Sequence, residues 1–150
     1  MKVVLYRPEI PQNTGNIART CAATGCSLLL IPPLGFFLDA KTVRRSSVQY
    51  MPTKDIQIWD KGEEAWLEQM GASCWMFSTK GQLRYDQVRY EEDPILLFGR
   101  ESSGLPKQWL ERHPERSVRI PVKNECHSLN LSNAVSIALY EVLRQKEFAI

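Results

Sequence analysis

Short continuous apolar runs alternate along this chain with stretches in which apolar residues return at helical spacing. Val3-Val4-Leu5-Tyr6, Ser27 to Ile31, Cys74 to Phe77 and Ile95 to Phe98 are runs of strand length, as expected of strands covered on both faces. After the first run, Arg7 to Gln12 holds two prolines and reads as a loop. Asn13 or Thr14 is placed to cap a helix carrying Ile17, Ala18, Cys21 and Ala22 on one side, with Gly25 as its stop. Asp39 to Ser46 reads as a short basic helix, Val48 to Met51 as an extended piece closed by Pro52, and Ile56 to Trp59 as an edge strand. Gly62 to Met70 is predicted helical, with Ala65, Trp66, Leu67 and Met70 apolar, and so is the short segment Lys107 to Arg112.

Arg119 opens a brief strand that Pro121 stops, and a polar stretch, Lys123 to Ser128, leads to the last helix. That helix has Leu131, Ala134, Val135, Ala138, Leu139 and Val142 on one stripe and Asn130 as its expected N-cap. Ile137 and Tyr140 lie off the stripe, so the helix calls for a second partner, such as another subunit. Gln82 to Asp93 is polar and fits neither period. Strands alternating with helices predict an α/β fold with a mainly parallel sheet flanked by helices, its first strand–helix–strand unit a right-handed crossover. With no repeat, low-complexity tract or linker, residues 1–150 read as a single domain.

Hydrophobic residues make up 43% of the chain and charged residues 24%, ordinary for a soluble globular protein. No apolar run approaches the ~20 residues of a membrane span. The opening MKVVLYRPE is too soon interrupted for a signal peptide, so a cytoplasmic protein without membrane contact is expected. A formal net charge of +2 permits a nucleic-acid partner without demanding one. The four cysteines form no CxxC pair, so neither a metal nor a disulfide is expected, and Cys21 and Cys26 read as small apolar side chains.

Three segments could carry chemistry. PEIPQNTGNIAR, Pro8 to Arg19, sets Asn13 and Thr14 at a helix start with Arg19 further along; by itself it reads equally as a capped helix with a surface arginine. FGRESSGLP, Phe98 to Pro106, places a carboxylate among backbone amides beyond a strand's carboxyl end, where open α/β sheets bind ligands, although an ordinary turn has the same composition. It is neither the GxGxxG dinucleotide fingerprint nor a Walker A loop, which weighs against a nucleotide-binding oxidoreductase. The third is the polar stretch before the last helix, whose start offers unpaired amides to an acceptor.

Taken together and in order, these segments closely resemble the three motifs of the SPOUT class of methyltransferases, within it the TrmL (YibK-like) subgroup. The third match runs over RIPVKNECHSLNLSNAVSIALYE, and the likeness covers essentially the whole chain. The resemblance implies a C-terminal trefoil knot, which a reading from general topology does not propose. It implies S-adenosylmethionine (AdoMet) as cofactor and S-adenosylhomocysteine as product. It further implies transfer of the methyl group to the ribose 2′-hydroxyl of the wobble nucleotide, cytidine or uridine, in a tRNA anticodon loop. Two alternatives stay open: another tRNA or rRNA ribose as target, or an RNA-binding domain of this fold without catalysis.

By matching positions, the resemblance puts Asn13, Arg19, Glu101, Ser128 and Asn130 around the reacting hydroxyl. It puts Leu97, Gly99, Glu101, Gly104, Ile120, Ser128, Leu129 and Asn130 around the cofactor, largely through backbone groups. Arg19 is expected to be essential, holding an RNA phosphate more readily than acting as base, since a neutral guanidine is costly. Lys41, Arg44 and Arg45 resemble a basic stretch of the class and are expected, with Arg19, to meet RNA. Arg100 and Ser103 depart from the usual second motif, as do Asn124 to His127 before the Ser128-Leu129-Asn130 triplet of the third, and His127 is expected to be an exposed bystander. A homodimer through the first and last helices is also implied.

Overall fold

The computed structural model describes residues 1–37 and 56–149. The expected basic helix at Asp39 to Ser46 and the extended piece at Val48 to Met51 lie outside the described residues. Among those described, seven strands form one sheet: β1 (Lys2–Tyr6), β2 (Ser27–Ile31), β3 (Ile56–Ile58), β4 (Cys74–Phe77), β5 (Leu83–Arg84), β6 (Ile95–Phe98) and β7 (Ser117–Arg119). Their order is β3-β2-β1-β6-β4-β7-β5, and every pairing is parallel. The helices are α1 (Pro11–Ala23), α2 (Glu63–Met70), α3 (Lys107–Arg112) and α4 (Leu131–Gln145).

The strands are apolar throughout because both of their faces are covered. Val3, Leu5, Leu28, Leu30, Leu96 and Phe98 point to one side, where α1 supplies Ile17, Ala18 and Cys21 and α4 supplies Val135, Ala138, Leu139 and Val142. Val4, Tyr6, Leu29, Ile31, Met76 and Leu97 point to the other, against Trp66 and Leu67 of α2 and Trp109 of α3. The result is three layers, helix, sheet and helix. Cys21, Cys26 and Cys74 are buried as free thiols, and burial pushes the Cys21 and Cys74 thiols up to about 12.

Several boundaries differ from the sequence reading. Neither Asn13 nor Thr14 caps α1: the helix begins at Pro11 after an extended Ile10, and both side chains are buried within it. Proline suits the first helical position, where its missing N–H has no intrahelical partner to lose. Ala22 is exposed, so the buried stripe of α1 runs instead through Asn13, Thr14, Ile17, Ala18 and Cys21. Gly25 does end α1, at φ 67, and the Cys26 amide donates to Cys21 O at 2.9 Å, closing a Schellman turn.

Gln82 to Asp93, which fitted neither period, contains the edge strand β5 and then folds back on the α1–α4 side. There Tyr85, Val88 and Tyr90 pack against the core. The Gln145 side chain of α4 fastens that segment, accepting from Tyr90 N at 3.2 Å and donating to Val88 O at 3.0 Å.

Candidate active site

The strand order decides where the loops meet. β1, β6, β4 and β7 are consecutive neighbours in the sheet, so the segments leaving their carboxyl ends crowd together at one edge. A cavity of about 510 Å³ opens there, lined from the loops after β4, β6 and β7 and from Ile10 and Asn13 at the start of α1. Of the residues expected at the site, Asn13, Gly99, Glu101, Gly104, Ile120, Ser128, Leu129 and Asn130 all line this cavity. Leu97 does not: it is fully buried on the α2–α3 face, one position behind the cavity-lining Phe98. Arg19 is exposed on α1 and also lies outside the lining. Six residues on from Asn13, it sits about 9 Å further along the helix axis. Lys41, Arg44 and Arg45 fall outside the described residues.

The loop after β6 is pinched. Arg100 and Gly104 exchange backbone hydrogen bonds of 3.1 and 2.9 Å, and Gly104 sits at φ +70. A Cβ on Gly99 would lie 2.1 Å from the Gly104 carbonyl carbon, so only glycine allows this approach.

Two carboxylates fasten the loop to the segment after β1 in a reciprocal manner. Glu101 accepts from the backbone amides of Glu9 at 2.8 Å and Ile10 at 3.1 Å, and from Asn13 Nδ2 at 3.1 Å. Glu9 in turn accepts from the Ser102 amide at 2.9 Å, the Ser102 hydroxyl at 3.0 Å and the Arg100 guanidinium. The Ser102 hydroxyl and amide, aided by Arg100, hold the Glu9 carboxyl down at about 2. Glu101 thereby fixes the two residues that lead into α1.

From Glu101 the network continues to the last helix. Asn130 Nδ2 donates to Asn13 Oδ1 at 3.0 Å. Asn130 Oδ1 accepts from Ser132 N at 2.9 Å and Asn133 N at 3.4 Å, the N-cap expected from the sequence. All three motif segments are thus joined by one continuous chain of hydrogen bonds. A carboxylate already holding three donors is poorly placed to receive a substrate proton, so the geometry makes Glu101 an organiser of its neighbours.

The sequence reading missed Glu9 and the loop Ser78-Thr79-Lys80, which also lines the cavity. The carboxyl-end rule applied to β4, as it was to β6, picks out that loop. Glu9 carries no local signal, since its partners lie more than ninety positions away. His127 is exposed, as expected, yet it lines the cavity mouth. Among the described residues no group of three or more His, Cys, Asp or Glu side chains could hold a metal ion.

The chain is similar to known proteins over nearly its whole length. The model of the SpoU rRNA Methylase family matches residues 1–140. A tRNA (cytidine(34)-2'-O)-methyltransferase of Yersinia pestis is 42% identical, the alignment covering 97% of this chain and 93% of that protein. A solved structure described as "Structural insights into the 2-OH methylation of C/U34 on tRNA" superposes with a TM-score of 0.87 at 43% identity, over 97% of this chain and 95% of the other. An AdoMet-bound rRNA methyltransferase from Sinorhizobium meliloti superposes with a TM-score of 0.78 at 30% identity, over 95% of this chain and 55% of the other.

Proposed function

The chain belongs to the SpoU rRNA Methylase family, and from that premise we propose that it moves a methyl group from AdoMet to the 2′-hydroxyl of the wobble cytidine or uridine of tRNA. The observation that carries the reading is the joining of three motif segments around one cavity at the carboxyl edge of the sheet. Support for the target comes from relatives of nearly equal length, whose names specify nucleotide 34 of tRNA.

The cavity suits the cofactor. Its volume lies within the range of small-molecule sites. Ile120 and Leu129 are apolar side chains left part-exposed on its wall, suited to sandwiching an adenine. The Gly99–Gly104 pinch brings main-chain groups to its surface. When bound, AdoMet supplies an electrophilic methyl group on a sulfonium that leaves readily. The chain's own task is then to hold the ribose oxygen in line with that carbon.

Arg19 supplies affinity for the RNA phosphate beside the reacting ribose, together with Lys41, Arg44 and Arg45. The 150 residues act as one domain and pair with a second copy through α1 and α4, and the C-terminal region forms the trefoil knot of the class.

The deciding experiment incubates the protein with labelled AdoMet and tRNA lacking the modification, then maps the methylated nucleoside. Label in a 2′-O-methylated nucleotide at the wobble position is expected. Label confined to rRNA, or to another tRNA ribose, overturns the target. Arg19→Ala should abolish transfer while S-adenosylhomocysteine still binds in calorimetry, and transfer near that of wild type removes Arg19 from the mechanism.

A further inference from the structure

The hydrogen-bond chain through the site has a fixed direction. At one end stands Glu101, both of whose carboxyl oxygens already accept from the backbone amides of Glu9 and Ile10 and so face Asn13 as acceptors. At the other stand the Ser132 and Asn133 amides, which can only donate. Two side-chain amides, Asn13 and Asn130, lie between them, and each could in principle face either way. The ends remove that freedom. Asn13 must turn Nδ2 to Glu101 and therefore Oδ1 to Asn130. Asn130 must turn Oδ1 to the helix and therefore Nδ2 to Asn13. The observed distances of 3.1 and 3.0 Å along the chain agree.

Each Nδ2 carries two hydrogens and spends one in this chain. No described residue takes up the second, and both asparagines line the cavity. Resting on the 2′-O-methylation reading above, we propose that the second Nδ2 hydrogens of Asn13 and Asn130 form a paired donor site that receives the ribose 2′-oxygen as it loses its proton. Glu101 is then a positioning residue that sets the polarity of that pair.

In the step itself the oxygen's lone pair forms the O–C bond to the methyl group. The C–S bond breaks, its electrons staying on sulfur as the neutral thioether, and the hydroxyl proton passes to solvent water in the open cavity. Two N–H groups aimed at the oxygen favour the state in which negative charge has built up on it. They are held by the fold beforehand, so no reorganisation is needed as the reaction proceeds.

The test is Asn130→Asp. Aspartate keeps an N-cap acceptor for α4 but replaces the donor with an acceptor facing Asn13 Oδ1. The kcat should fall by about 10²-fold or more, as when a preorganised donor is lost. The dissociation constant for S-adenosylhomocysteine and the KM for tRNA should stay within about threefold, well under the change a lost charge-assisted contact gives. Asn130→Ser is the second variant. It keeps an oxygen to cap α4 but removes Nδ2 altogether, so it should show the same split between kcat and KM.

A kcat within threefold of wild type in either folded variant overturns the donor pair and leaves the methyltransferase reading intact. Failure of the wild-type protein to bind S-adenosylhomocysteine at all overturns that reading first.

Discussion

At the scale of single residues, the site depends on carboxylates whose partners are remote in sequence. Glu9 tests this directly, because its carboxyl sits at about 2 in the fold against an ordinary 4.5. A depressed carboxyl adds stability that is fully present above its unfolded value and is lost as pH falls towards its folded one. Glu9→Gln should therefore be less stable than wild type at pH 7, by about 1–2 kcal/mol for contacts that solvent can partly replace. In urea titrations the gap should hold down to about pH 5 and shrink between pH 4.5 and 2. A gap that stays constant to pH 3 means that Glu9 acts through shape alone. Gly99→Ala bears on the neighbouring pinch. Its Cβ would meet Gly104 at 2.1 Å, backbone against backbone, so the loop must open. A stability loss of about 1–3 kcal/mol is expected from the overpacking, with S-adenosylhomocysteine binding lost in calorimetry. Unchanged binding removes the pinch from the cofactor site.

At the scale of elements, the four longest strands could be read from sequence because both their faces are buried, which leaves an unbroken apolar run. The stripe of α4 was equally legible, since Val135, Ala138, Leu139 and Val142 are wholly buried at the spacing that exposed them to pattern reading. The start of α1 was not, because the carboxylate that holds the two amides just before it, those of Glu9 and Ile10, belongs to Glu101, about ninety positions away. Gln82 to Asp93 was opaque for a related reason: it is ordered by the side chain of Gln145 and by the core it leans on, not by a period of its own. In the site, the motif segments were legible through their resemblance to a family, whereas Glu9 and the Ser78-Thr79-Lys80 loop required the fold. The C-terminus of α4 offers a separate check. Glu147 closes that helix at φ 54, in the left-handed region where a Cβ is strained, and Phe148 N donates to Leu143 O at 2.8 Å. Glu147→Gly should stabilise the protein by about 0.5–1 kcal/mol, the relief of strain exceeding the added freedom of the unfolded chain. A lowered melting temperature means that the Glu147 side chain contributes more than its backbone costs.

At the scale of the whole molecule, the helix layer of α1 and α4 is the face left incomplete. Ile137 is 37% exposed and Tyr140 49% exposed on α4, although the same helix buries Val135, Ala138, Leu139 and Val142 fully. Arg19 is exposed on the adjoining α1 and lies outside the cavity of its own chain. Both facts have one explanation under the proposed homodimer: the second copy covers the apolar residues and brings Arg19 near a shared RNA surface. A stable interface of this kind buries about 1,200–2,000 Å² in total, with apolar anchors near its centre. Replacing both anchors, Ile137→Glu together with Tyr140→Glu, places four like charges across a two-fold contact. Neither residue belongs to the buried stripe, so the fold should survive, as circular dichroism can verify. Sedimentation should then show a monomer that still binds S-adenosylhomocysteine, because the cavity is built within one chain. Transfer to tRNA should fall at least about tenfold, because under the proposed homodimer the phosphate contact proposed for Arg19 depends on the partner. A double variant that sediments as a monomer yet methylates at the wild-type rate separates the interface from catalysis and confines the chemistry to a single chain.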